Sequence, residues 1–353
     1  MKQLFNIFGA ALDPLSSPER INLKLAYLNF IKKNQKVENN SDPYDEIRDF
    51  IKKKTPSLDG DIWLGKVEIE SWLTPKPKLE DIKLLSTENI FNFLCKNGCW
   101  DYALRVSDYI DKEILPSRPV MIGVDHSLTG GVIMALSEYY KNLNVIVLDA
   151  HFDALKYQYA NPHCQFPPRN DYHDKSFNKK SNKIPFYECG NFLSYLIDKK
   201  IISPKNLWVL GVQDKILESL DVGCGEEKGE GSQIEEYRKL VEKGVHLVSK
   251  RALVFNKYVL KLNGPIYLSI DMDVGSLSSI YSARFMNCIG LTYDEFIKSI
   301  HNLYCVFQKS KFPFVGLDIV EMDIHLLEAS RFSHYQDYSR EIVKEIIQLF
   351  LMS

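Results

Sequence analysis

The stretch that decides the fold is Val145-Ile-Val-Leu-Asp149-Ala-His151-Phe-Asp153. Its four apolar residues predict a buried strand, and three polar groups follow at once. Side chains two apart in an extended chain point to the same side, so Asp149, His151 and Asp153 converge if the extension continues past the strand. Two carboxylates and an imidazole suit Mn, Zn or Fe better than Mg. The alternative interpretation is a solvated turn.

The remainder of the chain after residue 119 alternates between strand and helix patterns. Apolar strand patterns occupy residues 120–124, 145–148, 207–212, 245–248, 266–270 and 314–320, and helical patterns occupy 132–140, 192–200, 234–243 and 293–307. Such alternation predicts an α/β protein of three layers (α/β/α), in which helices cover both faces of a mostly parallel central sheet.

The whole chain, residues 1–353, is predicted to form a single domain. Residues 1–118 form its divergent N-terminal part, residues 119–330 the core, and residues 331–353 the C-terminal helix. The N-terminus predicts a first strand or loop, and Pro18 and Pro43 fit the first turns of two helices. A strand is also predicted across residues 63–72. The long polar segment 156–183 has the composition of a functional or disordered loop.

Composition excludes several functional classes. The chain has 44 Lys and Arg against 46 Asp and Glu, a formal net charge of −2, which gives no electrostatic case for nucleic acid or an anionic membrane. No apolar run approaches the roughly 20 residues that span a bilayer. The seven cysteines are scattered, with no Cys-x-x-Cys pair, which favours a reduced cytoplasmic protein.

Further ligand-type residues follow other predicted strands. His126 follows residues 120–124, Asp271 and Asp273 follow residues 266–270, and Glu321 follows residues 314–320. Open α/β sheets bind ligands beyond the carboxyl ends of their strands. Four clustered aspartates, two of them from the opening stretch, raise one another's pKa unless cations neutralise them. Two divalent ions balance four charges, which predicts a binuclear site that hydrolyses an electrophilic carbon.

These segments together resemble the ureohydrolases, the arginase, agmatinase and formiminoglutamase group. The resemblance rests on Gly-Val-Asp-His126-Ser, Asp149-Ala-His151-Phe-Asp153, Ser-Ile-Asp271-Met-Asp273 and Gly-Leu-Asp-Ile-Val-Glu321-Met, and it covers roughly residues 120–323. It implies the arginase/deacetylase fold with two Mn²⁺ ions, other divalent metals being possible.

The resemblance also implies roles for individual residues. One ion is held by His126, Asp149, Asp153 and Asp271, and the other by Asp149, His151, Asp271 and Asp273. Glu321 matches the acidic residue that pairs with the substrate guanidinium, an ion pair that can make two charge-assisted hydrogen bonds.

Two of the chain's departures from the family pattern bear on individual site residues. Where the family carries a His-Gly pair for proton transfer, this sequence has Glu188-Cys189-Gly-Asn191, so Cys189, His163 and His173 are alternatives for that role, and Asn191 is a candidate substrate-binding residue. After Asp273 the family's usual run is replaced by a segment that contains Arg284, which either binds a substrate carboxylate or forms a structural ion pair.

The predicted function is hydrolysis of a non-peptide C–N bond in a linear amidine, through a metal-bound hydroxide that Asp273 helps to hold. The substrate is a small guanidino or amidino compound, or a guanidino group on a larger molecule, and the products include urea or a related compound. A homo-oligomer is possible. The alternatives are a deacetylase-like amidohydrolase with one Zn and a metal-binding regulatory homologue without catalysis.

Overall fold

A single parallel sheet forms the centre of the molecule. The computed structural model describes residues 5–34, 41–56, 62–155, 187–221 and 230–352. Within these residues the strands are β1 (Phe5–Ala10), β2 (Trp63–Lys66), β3 (Arg118–Gly123), β4 (Asn144–Leu148), β5 (Leu207–Val212), β6 (His246–Ser249), β7 (Ile266–Asp271) and β8 (Phe314–Val320). Their order is β2-β1-β3-β8-β7-β4-β5-β6, and every pairing is parallel. The predicted parallel sheet is confirmed.

Helices cover both faces of the sheet. On β4, Val145 and Val147 join one buried hydrophobic cluster, whereas Ile146 and Leu148 join the other, as the alternation of a strand requires. The described helices are α1 (Pro18–Asn34), α2 (Pro43–Lys54), α3 (Thr87–Cys95), α4 (Gly98–Tyr109), α5 (Thr129–Tyr139), α6 (Phe192–Asp198), α7 (Asp214–Asp221), α8 (Glu230–Glu242), α9 (Lys250–Val254), α10 (Tyr293–Lys309), α11 (Ile324–Ala329) and α12 (Ser339–Met352). Helices α1, α3–α6 and α8 pack into the first cluster, and α2, α9, α10 and α12 into the second. The three-layer α/β/α prediction is confirmed.

Local sequence explains where several helices begin. Helix α2 starts with a capping box in which Asp42 accepts from the backbone N–H of Asp45 and the Asp45 carboxylate accepts from Asp42, with Pro43 in the first turn. Helix α10 starts with the same reciprocal pair between Thr292 and Glu295. These caps satisfy backbone donors that the first turn of a helix leaves unpaired.

Glycine permits the close packing of the helix that follows β3. A Cβ added to Gly131 in α5 would lie 2.2 Å from the carbonyl oxygen of Ala103 in α4. Backbone cannot give way at that distance, so the absence of a side chain is what lets α5 lie against α4. This contact fixes the direction of the chain directly after His126.

The N-terminal part contributes two strands to the same sheet. β1 pairs with β3 from Phe5 opposite Arg118 to Ala10 opposite Gly123, so the predicted first strand is present. The strand predicted across residues 63–72 is wrong in length: β2 ends at Lys66, and a 3₁₀ turn at Ser71–Leu73 follows. The division at residues 118 and 330 stays a prediction.

Two further expectations concern membrane-spanning helices and a long polar loop. Among the described helices, none is both long and apolar enough to cross a bilayer. All of the loop predicted at 156–183, with His163 and His173, lies outside the described residues.

Candidate metal centre

Four adjacent strands bring the candidate ligands to one edge of the sheet. β3, β8, β7 and β4 are neighbours in that order, and their last residues lie in register, for example Ile270 opposite both Ile319 and Leu148. The residues that follow these strands therefore leave the sheet side by side. They include His126 after β3, Glu321 after β8, Asp271 at the end of β7 and Asp149 after β4.

A repeated Asp turn, rather than a continued strand, aims the ligands that are two residues apart. The side chain of Asp149 accepts from the backbone N–H of His151 at 2.6 Å, and that of Asp271 accepts from Asp273 at 2.8 Å. Asp153 has a φ of +32°, which no extended chain adopts. The expected convergence is therefore present, but its predicted cause is wrong, because Asp side chains readily close such turns on their own backbone.

The first group of ligand atoms surrounds His126. Its Nδ1 lies 2.9 Å from Asp153 Oδ2, 3.0 Å from Asp271 Oδ2 and 3.5 Å from Asp149 Oδ2. One ligand atom from each of these four residues lies within 4.8 Å of the others. This is the set that the resemblance assigns to one ion.

The second group lies beside the first and shares Asp149 with it. His151 Nδ1 is 2.9 Å from Asp273 Oδ2 and 3.6 Å from Asp149 Oδ1. Ligand atoms of these three residues also lie within 4.8 Å of one another, and Asp271 is not part of this closer group. The two groups share Asp149, and the bridging roles of Asp149 and Asp271 stay predictions.

The arrangement is chemically suited to cations. His126 Nδ1 and Asp149 Oδ2 are buried and have no hydrogen-bond partner among the described residues, although three carboxylate oxygens, Asp149 Oδ2 among them, lie within 3.5 Å of His126 Nδ1. Burial, with repulsion from Asp153 and Asp273, raises the pKa of Asp149 to about 7. Burial, with repulsion from Asp273 and Asp149, also raises the pKa of Asp271 well above its ordinary value. Cations at this place would remove both penalties.

Residues outside the ligand set orient the two imidazoles. His126 Nε2 lies 3.0 Å from Ser269 Oγ, which donates to Asp318 Oδ1 at 2.6 Å. His151 Nε2 lies 3.1 Å from Asn287 Oδ1. When Nε2–H donates in each pair, Nδ1 is left free as a ligand atom, which is the usual way that outer residues fix a metal-binding tautomer.

Glu321 and Arg284 form a buried ion pair next to this centre. Arg284 Nη1 lies 3.0 Å from Glu321 Oε2 and 3.0 Å from Asp125 Oδ2, and the Arg284 side chain is 0% exposed. Glu321 Oε1 also accepts from the backbone N–H of His126 at 2.7 Å. The φ of Glu321 is +63°, a strained backbone of the kind found at functional sites. Arg284 thus forms the ion pair that was one of its two predicted alternatives.

Arg284 belongs to a larger buried network that sequence reasoning missed. Its Nη2 lies 3.2 Å from Asp13 Oδ1, and Asp13 also pairs with Arg20 at 2.8 Å and Lys24 at 3.3 Å. Arg20 continues the network to Asp323. The N-terminal third had no motif that marked these residues, because ion pairs across long sequence separations leave no local pattern.

The segment around Cys189 lies against the same carboxylates. Cys189 Sγ is within 4.8 Å of carboxylate oxygens of Asp125 and Glu321. Burial, reinforced by nearby carboxylates, raises the pKa of the Cys189 thiol well above its ordinary value. Asn191 is buried, and its Oδ1 accepts from the backbone N–H of Glu188 at 3.0 Å. The catalytic role of Cys189 and the substrate role of Asn191 stay predictions.

Sequence reasoning also missed Glu188 as a titratable group of this site. It is buried, its Oε1 has no hydrogen-bond partner among the described residues, and burial with Asp125 and Asp153 raises its pKa to about 8. Its position beside Cys189 was the only sequence signal.

The chain is similar in sequence to several known proteins. A model of the arginase family matches residues 80–334. An arginase of Plasmodium berghei (strain Anka) is 27% identical over 233 residues, which cover 60% of this chain and 54% of that protein. An agmatinase of Bacillus subtilis (strain 168) is 24% identical over 220 residues, which cover 62% of this chain and 60% of that protein. The chain therefore spans only about half to three-fifths of these curated relatives.

A solved structure shares the fold. A Trypanosoma cruzi formiminoglutamase variant with Mn²⁺ matches at a TM-score of 0.53 and 13% identity, and the match covers 99% of this chain and 93% of that chain. The family model covers more than half of the chain and includes each of the strand ends that carry the His and Asp cluster. The chain belongs to the arginase family.

Proposed function

We propose that the protein is a binuclear-metal hydrolase that cleaves a C–N bond of a guanidino or amidino compound and releases urea or a related product. The observation that carries this proposal is the pair of ligand groups that share Asp149, one around His126 and one around His151. Membership of the arginase family adds to it, because an arginase and an agmatinase are among the relatives.

Six residues would hold two divalent cations. They are His126, Asp149, His151, Asp153, Asp271 and Asp273, whose closest atoms converge without forming ordinary hydrogen bonds at His126 Nδ1 and Asp149 Oδ2. Mn²⁺ is the proposed metal, because these oxygen and nitrogen ligands suit it and the T. cruzi relative is described with Mn²⁺. When bound, such ions act as Lewis acids that lower the pKa of water.

The protein's own groups would then position the reactants. Asp273 is nearly fully buried and its Oδ2 lies 2.9 Å from His151 Nδ1, where the carboxylate could accept a hydrogen bond from the attacking water. Cys189 keeps its proton at neutral pH because its pKa is raised, so the thiol can donate to the leaving nitrogen. His163 and His173 remain the alternative proton donors.

The test combines a product assay with metal analysis. Mn-loaded protein would be incubated with a panel of guanidino and amidino compounds, and urea release would be measured. Asp271→Asn should lose metal and at least about 100-fold in rate, because Asn keeps the oxygen that closes the turn but removes a charged ligand. The exposed Asp294→Asn should change neither quantity.

Two results would count against the proposal. Full metal content in a folded Asp271→Asn variant would remove Asp271 from the ligand set. Failure of the Mn-loaded wild-type protein to hydrolyse any compound of the panel would favour the non-catalytic alternative.

A further inference from the structure

Two buried carboxylates, Asp125 and Glu321, lie beside the candidate metal centre and outside its six proposed ligands, and one arginine pairs with both of them. Arg284 Nη1 donates to Asp125 Oδ2 and to both oxygens of Glu321, at 3.0 to 3.1 Å. Glu321 Oε1 also accepts from the backbone N–H of His126, so the Arg284–Glu321 pair is in direct contact with a candidate metal ligand. A group that binds at the centre therefore approaches a carboxylate that already holds a guanidinium.

The structure fixes that guanidinium on several sides. Arg284 Nη1 also donates to the carbonyl of Val124 at 3.0 Å, and Nη2 donates to Asp13 at 3.2 Å. Burial disfavours the charge of Arg284, but Glu321, Asp125 and Asp13 outweigh burial and hold its pKa well above the usual value. Arg284 is therefore a permanent positive charge at this position.

The surrounding network leaves little excess negative charge for a second cation. Four carboxylates face three cationic side chains: Asp13, Asp125, Glu321 and Asp323 against Arg20, Lys24 and Arg284. The fourth carboxylate, Asp323, caps helix α11 and accepts from the backbone N–H groups of His325 and Leu326. A helix N-terminus offsets part of a negative charge, so the network is close to balanced.

A substrate guanidinium at Glu321 would thus meet a like charge. Two cations a few ångströms apart repel each other strongly in a site of low effective dielectric constant. Both Glu321 oxygens already accept from Arg284 Nη1, and Oε1 also accepts from the backbone N–H of His126, which leaves few acceptor positions on this carboxylate for a second guanidinium. An uncharged group of the same planar shape avoids the repulsion.

We propose that Arg284 is a specificity-determining residue that excludes cationic guanidino compounds from Glu321, so that the substrate presents an amidino group that is uncharged at neutral pH. This inference rests on the proposed function and narrows its substrate class. An acyl substituent on the amidino nitrogen is one way in which such a group loses its basicity.

The test compares charged and uncharged ligands of equal shape. Binding of methylguanidinium and N-methylurea, and of arginine and its ureido isostere citrulline, would be measured by calorimetry on Mn-loaded protein. We expect the wild-type protein to prefer the ureido member of each pair. Arg284→Met should raise the affinity for the guanidino member by about tenfold or more, because it removes a like charge and frees Glu321.

Two further variants locate the effect. The double variant Arg284→Met with Glu321→Gln should lose the gain, since no carboxylate remains to receive the ligand. Arg340→Met is the matched control: Arg340 is a buried arginine that pairs with Glu46, outside this network. It should leave the preference of the wild-type protein unchanged.

Several outcomes would overturn the inference. These are a wild-type protein that binds the guanidino member at least as tightly as the ureido member, a folded and Mn-loaded Arg284→Met that gains no guanidino binding, or an equal gain in Arg340→Met. If Arg284→Met does not fold, Arg284→Lys takes its place, because lysine keeps the positive charge. Arg284→Lys should keep the ureido preference of the wild-type protein, and loss of that preference would contradict the charge argument.

The binding measurements separate this inference from the proposed function. The order of affinities tests Arg284 whether or not any ligand is hydrolysed. Absence of urea or related product from every protein that holds metal and ligand would count against the hydrolase, while leaving the role of Arg284 to be decided by binding.

Discussion

At the scale of single residues, one aspartate oxygen shapes the chain and the other faces the centre. Oδ1 of Asp149 closes a turn with His151 N–H, while Oδ2 is buried without a hydrogen-bond partner in the described chain. Oδ1 of Asp271 closes the same turn with Asp273, while Oδ2 lies 3.0 Å from His126 Nδ1. Because one oxygen of each aspartate closes the turn and the other faces the centre, pairs of candidate ligands recur at a spacing of two residues.

Cys189 is the residue whose replacement tests proton transfer most directly. Cys189→Ala should slow turnover by about 10²-fold or more, since general acid catalysis contributes about 10² to 10⁴, while metal content stays the same. Steady-state rates and elemental analysis would be compared with Cys305→Ala, which changes an exposed cysteine on α10. An unchanged rate in Cys189→Ala would transfer the role to His163 or His173.

At the scale of elements, buried charges tie the N-terminal part to the site. Asp13, directly after β1, faces Arg20 and Lys24 of α1 as well as Arg284, which pairs with Glu321 at the end of β8. Charges this deeply buried are costly unless each is paired. The position of Glu321 therefore depends on elements more than 300 residues apart in sequence.

Asp13→Asn should destabilise the protein by about 3–5 kcal/mol, because three buried cations lose their shared partner. Chemical denaturation with Mn²⁺ present would measure the change. The matched control is Glu70→Gln, which breaks the half-exposed pair between Glu70 and Arg105 at 3.4 Å and should cost about 0–1 kcal/mol. Equal costs for the two variants would contradict a buried network.

At the scale of the whole molecule, the cluster of acids makes stability depend on pH and metal. Burial is the first cause that raises the pKa of Asp149 to about 7 and that of Glu188 to about 8. When the folded pKa of an acid lies above its unfolded value, the unfolded chain loses its proton first as pH rises, so stability falls between the two values. Asp13 acts in the opposite sense, because Arg20, Lys24 and Arg284 outweigh burial and lower its pKa.

The metal-free protein should therefore lose stability as pH rises from about 5 to about 8, by up to about 4 kcal/mol for Asp149 alone. Below about pH 4 the loss of the Asp13 charge should destabilise it again. Stabilisation by Mn²⁺ should grow over the same upper interval. Unfolding midpoints with chelator and with Mn²⁺ would measure both trends. A metal-free protein that is equally stable at about pH 5 and about pH 8 would contradict them.

The sequence by itself determined the layers and most of the site. Apolar runs and helical periodicity predicted the parallel sheet, because both are local patterns, and the polar residues after each run predicted His126, Asp149, His151, Asp153, Asp271 and Asp273. Only the tertiary structure decided that Arg284 forms an ion pair with Glu321. It also decided that Asp13 pairs with Arg20 and Lys24 next to this ion pair, and that Glu188 is buried beside Cys189. The physical reason is that electrostatic partners are chosen by distance in space, and segments far apart in sequence carry no mark of their pairing until the sheet brings them together.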